Sequence, residues 1–533
     1  MAIQPLLSTA PLRIGIDVGG THTDAVLMRE REVLAEVKQP TTRDVTGGIV
    51  EALRKLVADR DAEPASVAAV MIGTTHFTNA VVERRRLEPT ACLRLGLPAT
   101  RALPPMIDWP TELRDALGAH VWLAHGGHEF DGRPISPLDR SELQRIAGEI
   151  GERGIGSIAV SSVFSPVNAE SEVEAAELLT AELPGVAVSL SHEIGRVGLL
   201  ERENATIMNA CLRSLAADIV AAFRSALAGF GIEAPVYLSQ NDGTLMSVEH
   251  TERYPVATFA SGPTNSMRGA AFLSGLDDCA VVDIGGTTAD VGMLQHGFPR
   301  EAAVAVDIGG VRTNFRMPDV LSLGIGGGSL VREDAAPRVG PRSVGYELTR
   351  RALVFGGDEL TASDLAVAAG RARFGAPERV AGLDEALVDD ALTEIEERIA
   401  EVVDRMKLSA EPIPVVVVGG GSVLLGERLP GAAELVKPPH FGVANAIGAA
   451  IAQVGGEVDR VVSLDELSRA EALEAAKQEA RQKAQDAGAG RDSVRIVDVD
   501  EVPLAYLPGN ATRIRVKAVG DLELERGEVA RVH

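Results

Sequence analysis

Arg13-Ile14-Gly15-Ile16-Asp17-Val18-Gly19-Gly20-Thr21-His22-Thr23-Asp24 is a stretch that the chain uses twice. Asp283-Ile284-Gly285-Gly286-Thr287-Thr288-Ala289-Asp290 repeats the pattern D-[IV]-G-G-T-x-x-D far downstream. In each copy an apolar run ending in Asp reads as a buried strand, and the Gly-Gly behind it reads as a tight hairpin turn. Thr21 and Thr23, or Thr287 and Thr288, then place hydroxyl donors on the returning strand. Such a loop suits phosphate: glycines let backbone N–H groups approach an anion, and an Asp at the strand end can hold a hydrated divalent cation. One Asp-x-Gly-Gly reads equally as a plain turn. Two copies predict two related half-molecules facing each other across a cleft, each with a phosphate loop.

Working outward, 533 residues predict two or three domains. A hydrophobic content of 45% and a charged content of 24% are those of an ordinary globular protein. The formal net charge of -24 disfavours nucleic acid and membrane surfaces as partners. It does not exclude a nucleotide, whose phosphates can be neutralised locally. Cys92, Cys211 and Cys279 are widely separated in apolar contexts, without metal-ligand spacing. Met1–Pro5 shows no basic region ahead of an apolar stretch, and no apolar run approaches the ~18 residues of a membrane span. A cytoplasmic enzyme is the expectation.

In the first half, residues 31–38 alternate as a strand, and 49–58 read as a helix. The buried run Val67–Ile72 is followed at once by Gly73-Thr74-Thr75 and a helix carrying Asn79. Open α/β sheets place ligand groups at such a strand end and helix start, which makes Thr74, Thr75 and Asn79 candidate substrate contacts. The alternative makes Thr74 or Thr75 a helix N-cap. His120, His125 and His128, with Glu129 and Asp131, invite a metal reading, but Gly126-Gly127 and Asp131-Gly132 predict a hairpin over 121–135 instead. Strands at 158–163 and 186–191 alternate with helices at 141–153 and 170–182, an α/β pattern with a boundary near 195.

In the second half, 199–227 reads as one long helix whose Glu201, Arg202, Glu203, Asn204, Thr206 and Asn209 form a polar, solvated or interdomain face. Ser239–Gly243 is a polar turn after a strand, and Ser261-Gly262-Pro263 opens a helix just before the second hairpin. Gly324–Ser329 is glycine-rich but not a dinucleotide fingerprint, and no Walker A loop is present. The run Val415–Val418 feeds Gly419-Gly420-Gly421-Ser422, where glycines permit close approach to a flat ligand. A small-residue helix over 441–450 is suited to tight packing. Beyond Gly456 a charged helix and a strand pair turning at Pro508-Gly509-Asn510 read as a C-terminal appendage.

Taken together, these motifs resemble the actin, Hsp70 and sugar-kinase superfamily of ATP-binding folds. Within it the chain resembles the hydantoinase A and 5-oxoprolinase family. The resemblance rests on Gly15–Asp24, Gly73-Thr74-Thr75, Thr78-Asn79-Ala80, His192-Glu193-Ile194, Glu201–Thr206, Ser261-Gly262-Pro263, Asp283–Asp290 and Gly324–Ser329, and covers residues 12–455. It implies two duplicated actin-like (ribonuclease H-like) α/β domains, 12–195 and 196–455, flanking an ATP cleft, with an α+β appendage over 456–533. It further implies Mg2+ held by Asp17 and Asp283, and phosphates cradled by Gly19, Gly20, Thr21, Gly285, Gly286 and Thr287. Gly419, Gly420, Gly421 and Ser422 would lie against the adenosine, while Thr74, Thr75, Asn79, Ser261 and Gly262 are the expected substrate contacts.

The reaction class implied by the resemblance is ATP-driven opening of a cyclic amide such as a hydantoin, 5-oxoproline or a related lactam. Phosphorylating the amide oxygen gives an activated imidate that water attacks. Members of the family are generally longer than this chain, often carry Phe where His22 stands, and have Ala-Gly where Thr264 and Asn265 stand. A separate hydantoinase B-like partner subunit, and an oligomer, are expected. A small-molecule kinase and an ATP-binding, non-hydrolytic subunit are the alternatives. Asp17, Asp283, His22 and Asp24 are the candidate catalytic residues. Asp290, His76 and His192 are further candidates for the base, each with a purely structural alternative.

Overall fold

The computed structural model describes residues 10–40, 45–58, 64–302, 305–333, 337–465, 467–505 and 509–524. Met1–Pro5 and Pro508 lie outside the described residues. Both repeats form the expected hairpin. Leu12–Val18 pairs antiparallel with His22–Arg29, placing Asp17 opposite Asp24, and Cys279–Ile284 pairs with Ala289–Gln295, placing Asp283 opposite Asp290. The turns close alike, with Gly19 N–H on His22 O at 3.0 Å and Gly285 N–H on Thr288 O at 2.9 Å.

Each hairpin nucleates a sheet. The first belongs to a nine-stranded sheet in the order Arg495–Pro503, Thr512–Gly520, Gln453–Val462, Thr244–Ser247, Val236–Ser239, Val67–Thr74, Leu12–Val18, His22–Arg29, Glu32–Pro40. The second belongs to a six-stranded sheet in which Cys279–Ile284 runs parallel to the valine-rich Ile413–Val418, itself parallel to Ala432–Val436. A third, all-parallel sheet orders His120–His125, Thr90–Leu97, Ser157–Ser162 and Ala187–Leu190 as a separate layer. Two α/β halves around duplicated hairpins are thus present, with one layer inserted in the first.

The first sheet runs across both expected domain limits. Val236–Ser239, beyond residue 195, pairs parallel with Val67–Thr74, and Gln453–Val462 pairs with Thr244 and Leu245. The segment expected as an appendage therefore completes this sheet, covering an edge that would otherwise present unpaired backbone groups. Its charged helix, Arg469–Asp486, starts in a Ser468–Glu471 capping box and buries Ala472, Ala476, Ala480 and Ala484 along one face. Alanines are required there because Gly456 lies so close that a Cβ on it would meet Ala480 O and Ala484 N.

Two local expectations are corrected. Residues 121–135 do not form one hairpin: His120–His125 runs parallel to Thr90–Leu97, and only a His128–Pro134 bridge remains of it. The long helix is two, Leu199–Cys211 and Arg213–Ala228, bent by 48°. The pair has the length and composition of a broken span, yet it lies within the protein core; among the described residues no single helix is long and apolar enough to cross a membrane.

The two halves are joined by crossing helices, Ser261–Ser274 and Ala444–Ala450. Glycines set their separation: a Cβ on Gly269 would strike Ala444 O, and one on Gly448 would strike Asn265 O. Gly15 admits the second helix equally closely against the first strand, where a Cβ would meet Ala446 O and Ala450.

An alanine at Gly448 should therefore lower stability by about 1–3 kcal/mol through overpacking, although alanine is the better helix former. Gly148→Ala, on the exposed face of Arg140–Glu152 with open space around it, should raise stability by about 1 kcal/mol. Paired thermal and urea unfolding of the two variants checks the opposite signs.

Candidate active site between the two hairpins

The two loops face each other: a Cβ on Gly286 would lie 3.6 Å from Thr21 Oγ1. Gly20, Thr21, Gly286 and Thr287 carry backbone N–H groups without a partner among the described residues. Behind the second loop, Gly327 N–H donates to Gly285 O at 3.0 Å and Gly328 N–H to Gly286 O at 2.7 Å. The Gly324–Ser329 segment thus braces this loop from behind. Such free amides facing a gap are an anion cradle.

Carboxylates converge beneath the loops. Asp17 accepts from Asn265 Nδ2 at 3.1 Å and from Asn445 Nδ2 at 3.0 Å, and the same Asn445 amide reaches Asp24 at 2.9 Å. Lys38 Nζ lies 2.8 Å from each Asp24 oxygen and 3.1 Å from Gly442 O. Asp283 accepts from Ser266 Oγ and Asp290 from Ser322 Oγ, both at 2.5 Å. Burial pushes the Asp17 carboxyl up to about 6 against its two asparagine hydrogen bonds, with the Asp24 and Asp283 charges adding to the rise. Burial likewise raises Asp283, opposed by the Ser266 hydrogen bond and the Lys38 charge, and lifts Asp290 to about 6.

Gly419–Ser422 lies directly against this second hairpin. A Cβ on Gly419, at φ +84°, would strike Asp283 Oδ1, and one on Gly421 would crowd Ile284. The first and third glycines are thus needed for packing onto the hairpin, while Gly420 faces the Lys38 stem. Ser422 Oγ is buried without a partner.

The residues expected to contact substrate gather at one point, at the end of Val67–Thr74. Ser261 Oγ donates to Thr74 O at 3.1 Å and accepts from Thr74 N–H at 3.3 Å, so this hydroxyl ties strand to helix. Thr75 Oγ1 donates to Val18 O at 3.3 Å and accepts from Asn79 Nδ2 at 3.4 Å, and Gly262 sits beside the Thr75 methyl. Thr75 and Asn79 keep open faces, whereas Thr74 and Ser261 are buried.

Among the histidines, His22 Nδ1 lies 3.2 Å from Thr21 Oγ1, and burial and the Lys38 charge hold its pKa below the usual value. His76 contacts Thr74 Oγ1 at 2.5 Å, and burial pushes it down to about 4. His120 stacks on Trp122, His125 pairs with Glu142 at 3.0 Å, and His128 Nδ1 is buried without a partner. Among the described residues no group of three His, Cys, Asp or Glu side chains forms a metal site.

Sequence reasoning missed Lys38, Asn265, Ser266 and Asn445 as site residues. Only Asn265 carried a signal, as a departure from the family pattern. Of the two alternatives for Glu201–Asn209, a solvated or an interdomain face, the solvated one is corrected: Arg202, Glu203, Asn204, Thr206 and Asn209 are all buried, with Glu203 holding Arg94.

For a magnesium nucleotide the residues fit. Asp17 is buried and Asp283 half-buried, burial lifts both carboxyls, and Asn265 Oδ1 and Ser422 Oγ are buried acceptors without partners. Two carboxylates completed by water and phosphate oxygens are what a magnesium ion takes.

The profile described as Hydantoinase/oxoprolinase N-terminal region matches residues 13–183, and that described as Hydantoinase/oxoprolinase matches 202–373. An uncharacterized protein of Methanocaldococcus jannaschii is 26% identical over 85% of this chain and 74% of its own. The caprolactamase subunit alpha of Pseudomonas jessenii is 27% identical over 83% of this chain and 66% of its own, and the acetophenone carboxylase gamma subunit of Aromatoleum aromaticum is 27% identical over 67% and 53%. The chain thus spans about half to three quarters of these relatives. In structure, the ATP-dependent caprolactamase of Pseudomonas jessenii superposes with a TM-score of 0.76 at 20% identity, and nucleotide-free acetone carboxylase with 0.67 at 17%. Each alignment covers 96% of this chain and 88% of the other.

A proton on Asp17 competes with a cation there. Affinity for Mg-ATP is therefore expected to fall as pH drops through about 6. The raised pKa also means that the metal-free protein loses stability as pH rises from the unfolded value near 4 to about 6. Mg-ATP should accordingly raise the melting temperature more at pH 7.5 than at pH 5, a difference that calorimetry at both values reads directly.

Proposed function

Because the chain belongs to the hydantoinase/oxoprolinase family, we propose that it is an ATP- and Mg-dependent enzyme that opens a cyclic amide or imide through a phosphorylated intermediate. The observation that carries this reading is the pair of facing Gly-Gly-Thr loops, with Asp17 and Asp283 beneath them. Bound Mg-ATP supplies the transferable phosphoryl group. The free N–H groups of Gly20, Thr21, Gly286 and Thr287 would receive phosphate oxygens, and Lys38, paired with Asp24, adds a cation close to Asp283. Asp17 and Asp283 would hold the metal ion, and Gly419–Ser422 would line the adenosine side.

These donors act by position. They sit where negative charge spreads over the transferring group, and they need not reorganise when it does. Thr75 and Asn79 hold the acceptor ring near the loop of Gly19 and Gly20, with Thr74 and Ser261 fixing the strand end behind them. An ATP-consuming reaction belongs in the cytoplasm. The relatives named as alpha and gamma subunits support a complex in which a hydantoinase B-like chain accompanies this one.

The test is ADP release from purified protein with Mg-ATP across hydantoin, 5-oxoproline, ε-caprolactam and thiohydantoin, with products followed by mass spectrometry. Acetone and acetophenone with bicarbonate form a second arm, since carboxylase subunits are among the relatives. A ring-opened product with ADP is expected. A stable phosphorylated product would make the chain a kinase, and a carboxylated one would move it to the other branch. Lys38→Met should lower kcat at least a hundredfold while weakening ATP binding by less than tenfold, because its charge counts most where charge develops.

A further inference from the structure

The helix His76–Glu83 begins where the strand Val67–Thr74 ends, and Thr75 between them is tied to the strand that opens the first phosphate loop. Both its N–H and its hydroxyl donate to Val18 O, each at 3.3 Å, and Val18 leads directly into Gly19 and Gly20. Phe77, Ala80 and Val81 are buried against the core. His76 and Asn79, three positions apart, share the face that is left open. At about 1.5 Å per residue, that face continues roughly 6 Å beyond Thr75.

The contacts behind this face decide what each side chain offers. The Asn79 amide lies 3.4 Å from Thr75 Oγ1, whose own hydrogen is committed to Val18 O. That oxygen can only accept, so the Asn79 atom turned toward it is Nδ2, and Oδ1 is left for a ligand. His76 is fixed in the same manner. Its Nδ1 lies 2.5 Å from Thr74 Oγ1, which also accepts the His76 backbone N–H at 3.3 Å. Thr74 is buried, and its hydroxyl hydrogen has no other acceptor among the described residues. The hydroxyl therefore donates to Nδ1, and the neutral ring carries its hydrogen at Nε2. Nε2 has no partner among the described residues and is not an enclosed atom. Burial and the Arg86 charge hold the imidazole down at about 4, so it gains no second hydrogen near neutral pH. His76 thus offers a fixed N–H donor, and Asn79 an acceptor on the same face.

A donor beside an acceptor matches a ligand that presents an acceptor beside an N–H. In a cyclic amide the N–H adjoins the carbonyl to be phosphorylated, and that oxygen is needed at the loops. The His76 hydrogen is therefore left for an acceptor on the other side of the ring nitrogen. Hydantoin has one there as its second carbonyl, and 5-oxoproline has a carboxylate. A simple lactam has only a methylene group.

We propose that His76 Nε2 and Asn79 Oδ1 together select cyclic amides bearing a second acceptor that flanks the ring nitrogen, as in a cyclic imide or a lactam with a carboxylate on the adjacent carbon. The selection rests on the reading of the chain as a cyclic-amide enzyme. It makes His76 a specificity-determining residue, and Thr74, which fixes the tautomer, a positioning residue acting through it.

Ring Kd with a non-hydrolysable ATP analogue, and kcat/KM for ring-dependent ADP release, test this across hydantoin, 5-oxoproline, ε-caprolactam and 2-pyrrolidinone. The full chain should favour the first two at least tenfold. His76→Phe keeps an aromatic ring but removes the donor. It should weaken binding and kcat/KM for the first two at least tenfold and for the simple lactams less than twofold, with the ATP Kd unchanged. His76→Gln, which keeps an N–H, should restore part of the loss. Nitrogen NMR of histidine-labelled protein, assigned with His76→Phe, should show His76 protonated at Nε2 alone from about pH 5.5 to 8. A chain without the preference, an equal loss across all four rings, or a hydrogen at Nδ1 overturns the selection. ADP release with an equal loss leaves the enzymatic reading standing and removes His76 from it. Acceptor-dependent binding without ADP release does the reverse, and a chain that neither binds nor turns over any of the rings removes both.

Discussion

One amide group, the Nδ2 of Asn445, is shared between two carboxylates, Asp17 at 3.0 Å and Asp24 at 2.9 Å, and much of the architecture serves to bring it there. Asp17, Asp24 and Asp283 meet where like charges repel, and burial penalises the charged forms of Asp17 and Asp283. Their partners come from distant parts of the chain: Lys38 from the third strand, Asn265 and Ser266 from one crossing helix, Asn445 from the other. An asparagine side chain is short, so those helices must cross almost in backbone contact. Gly269, Gly448 and Gly15 make that approach feasible. The acidic cluster and the glycine crossings are one requirement, seen once as electrostatics and once as sterics.

The two halves keep the same hairpin but no longer treat it alike. Asp17 is gripped by two asparagines, and its neighbour Asp24 by a lysine. Asp283 and Asp290 each receive a single serine hydroxyl instead. Only the second loop is backed by a glycine segment, whose amides occupy the Gly285 and Gly286 carbonyls. The first loop is therefore fixed through side chains at its strand end, and the second through backbone behind its turn.

This division explains what was legible in the sequence. The hairpins, the parallel strands beside them and the small-residue helix announce themselves by local pattern, because turn geometry and burial act over a few residues. The loop glycines and Asp17 and Asp283 were readable for the same reason. Lys38, Ser266 and Asn445 were not: their role depends on which strand or helix crosses which, and nothing within ten residues of Asn445 marks it. The glycines at 419 and 421 were legible as a requirement for close approach, but the partner is the Asp283 hairpin. The C-terminal strands looked like an appendage because the strand they extend, Gln453–Val462, joins the sheet at Thr244 and Leu245, more than 200 residues earlier in sequence. Arg202 and Glu203 left a solvated and an interdomain face both open because charged residues are usually exposed, and only the strands packed above them decide against solvent.

Those two residues belong to a helix that addresses the inserted layer strand by strand. Glu203 takes Arg94 from Thr90–Leu97 and Ser161 from Ser157–Ser162, Arg202 donates to Ser162 O at 2.6 Å, and Asn209 reaches Ser189 from Ala187–Leu190 at 3.0 Å. Three of the four strands are thus met by directional bonds rather than by apolar contact alone. Apolar packing is non-directional and tolerates sliding, whereas a buried ion pair stripped of one partner costs about 3–5 kcal/mol. The layer therefore has one orientation on the first half.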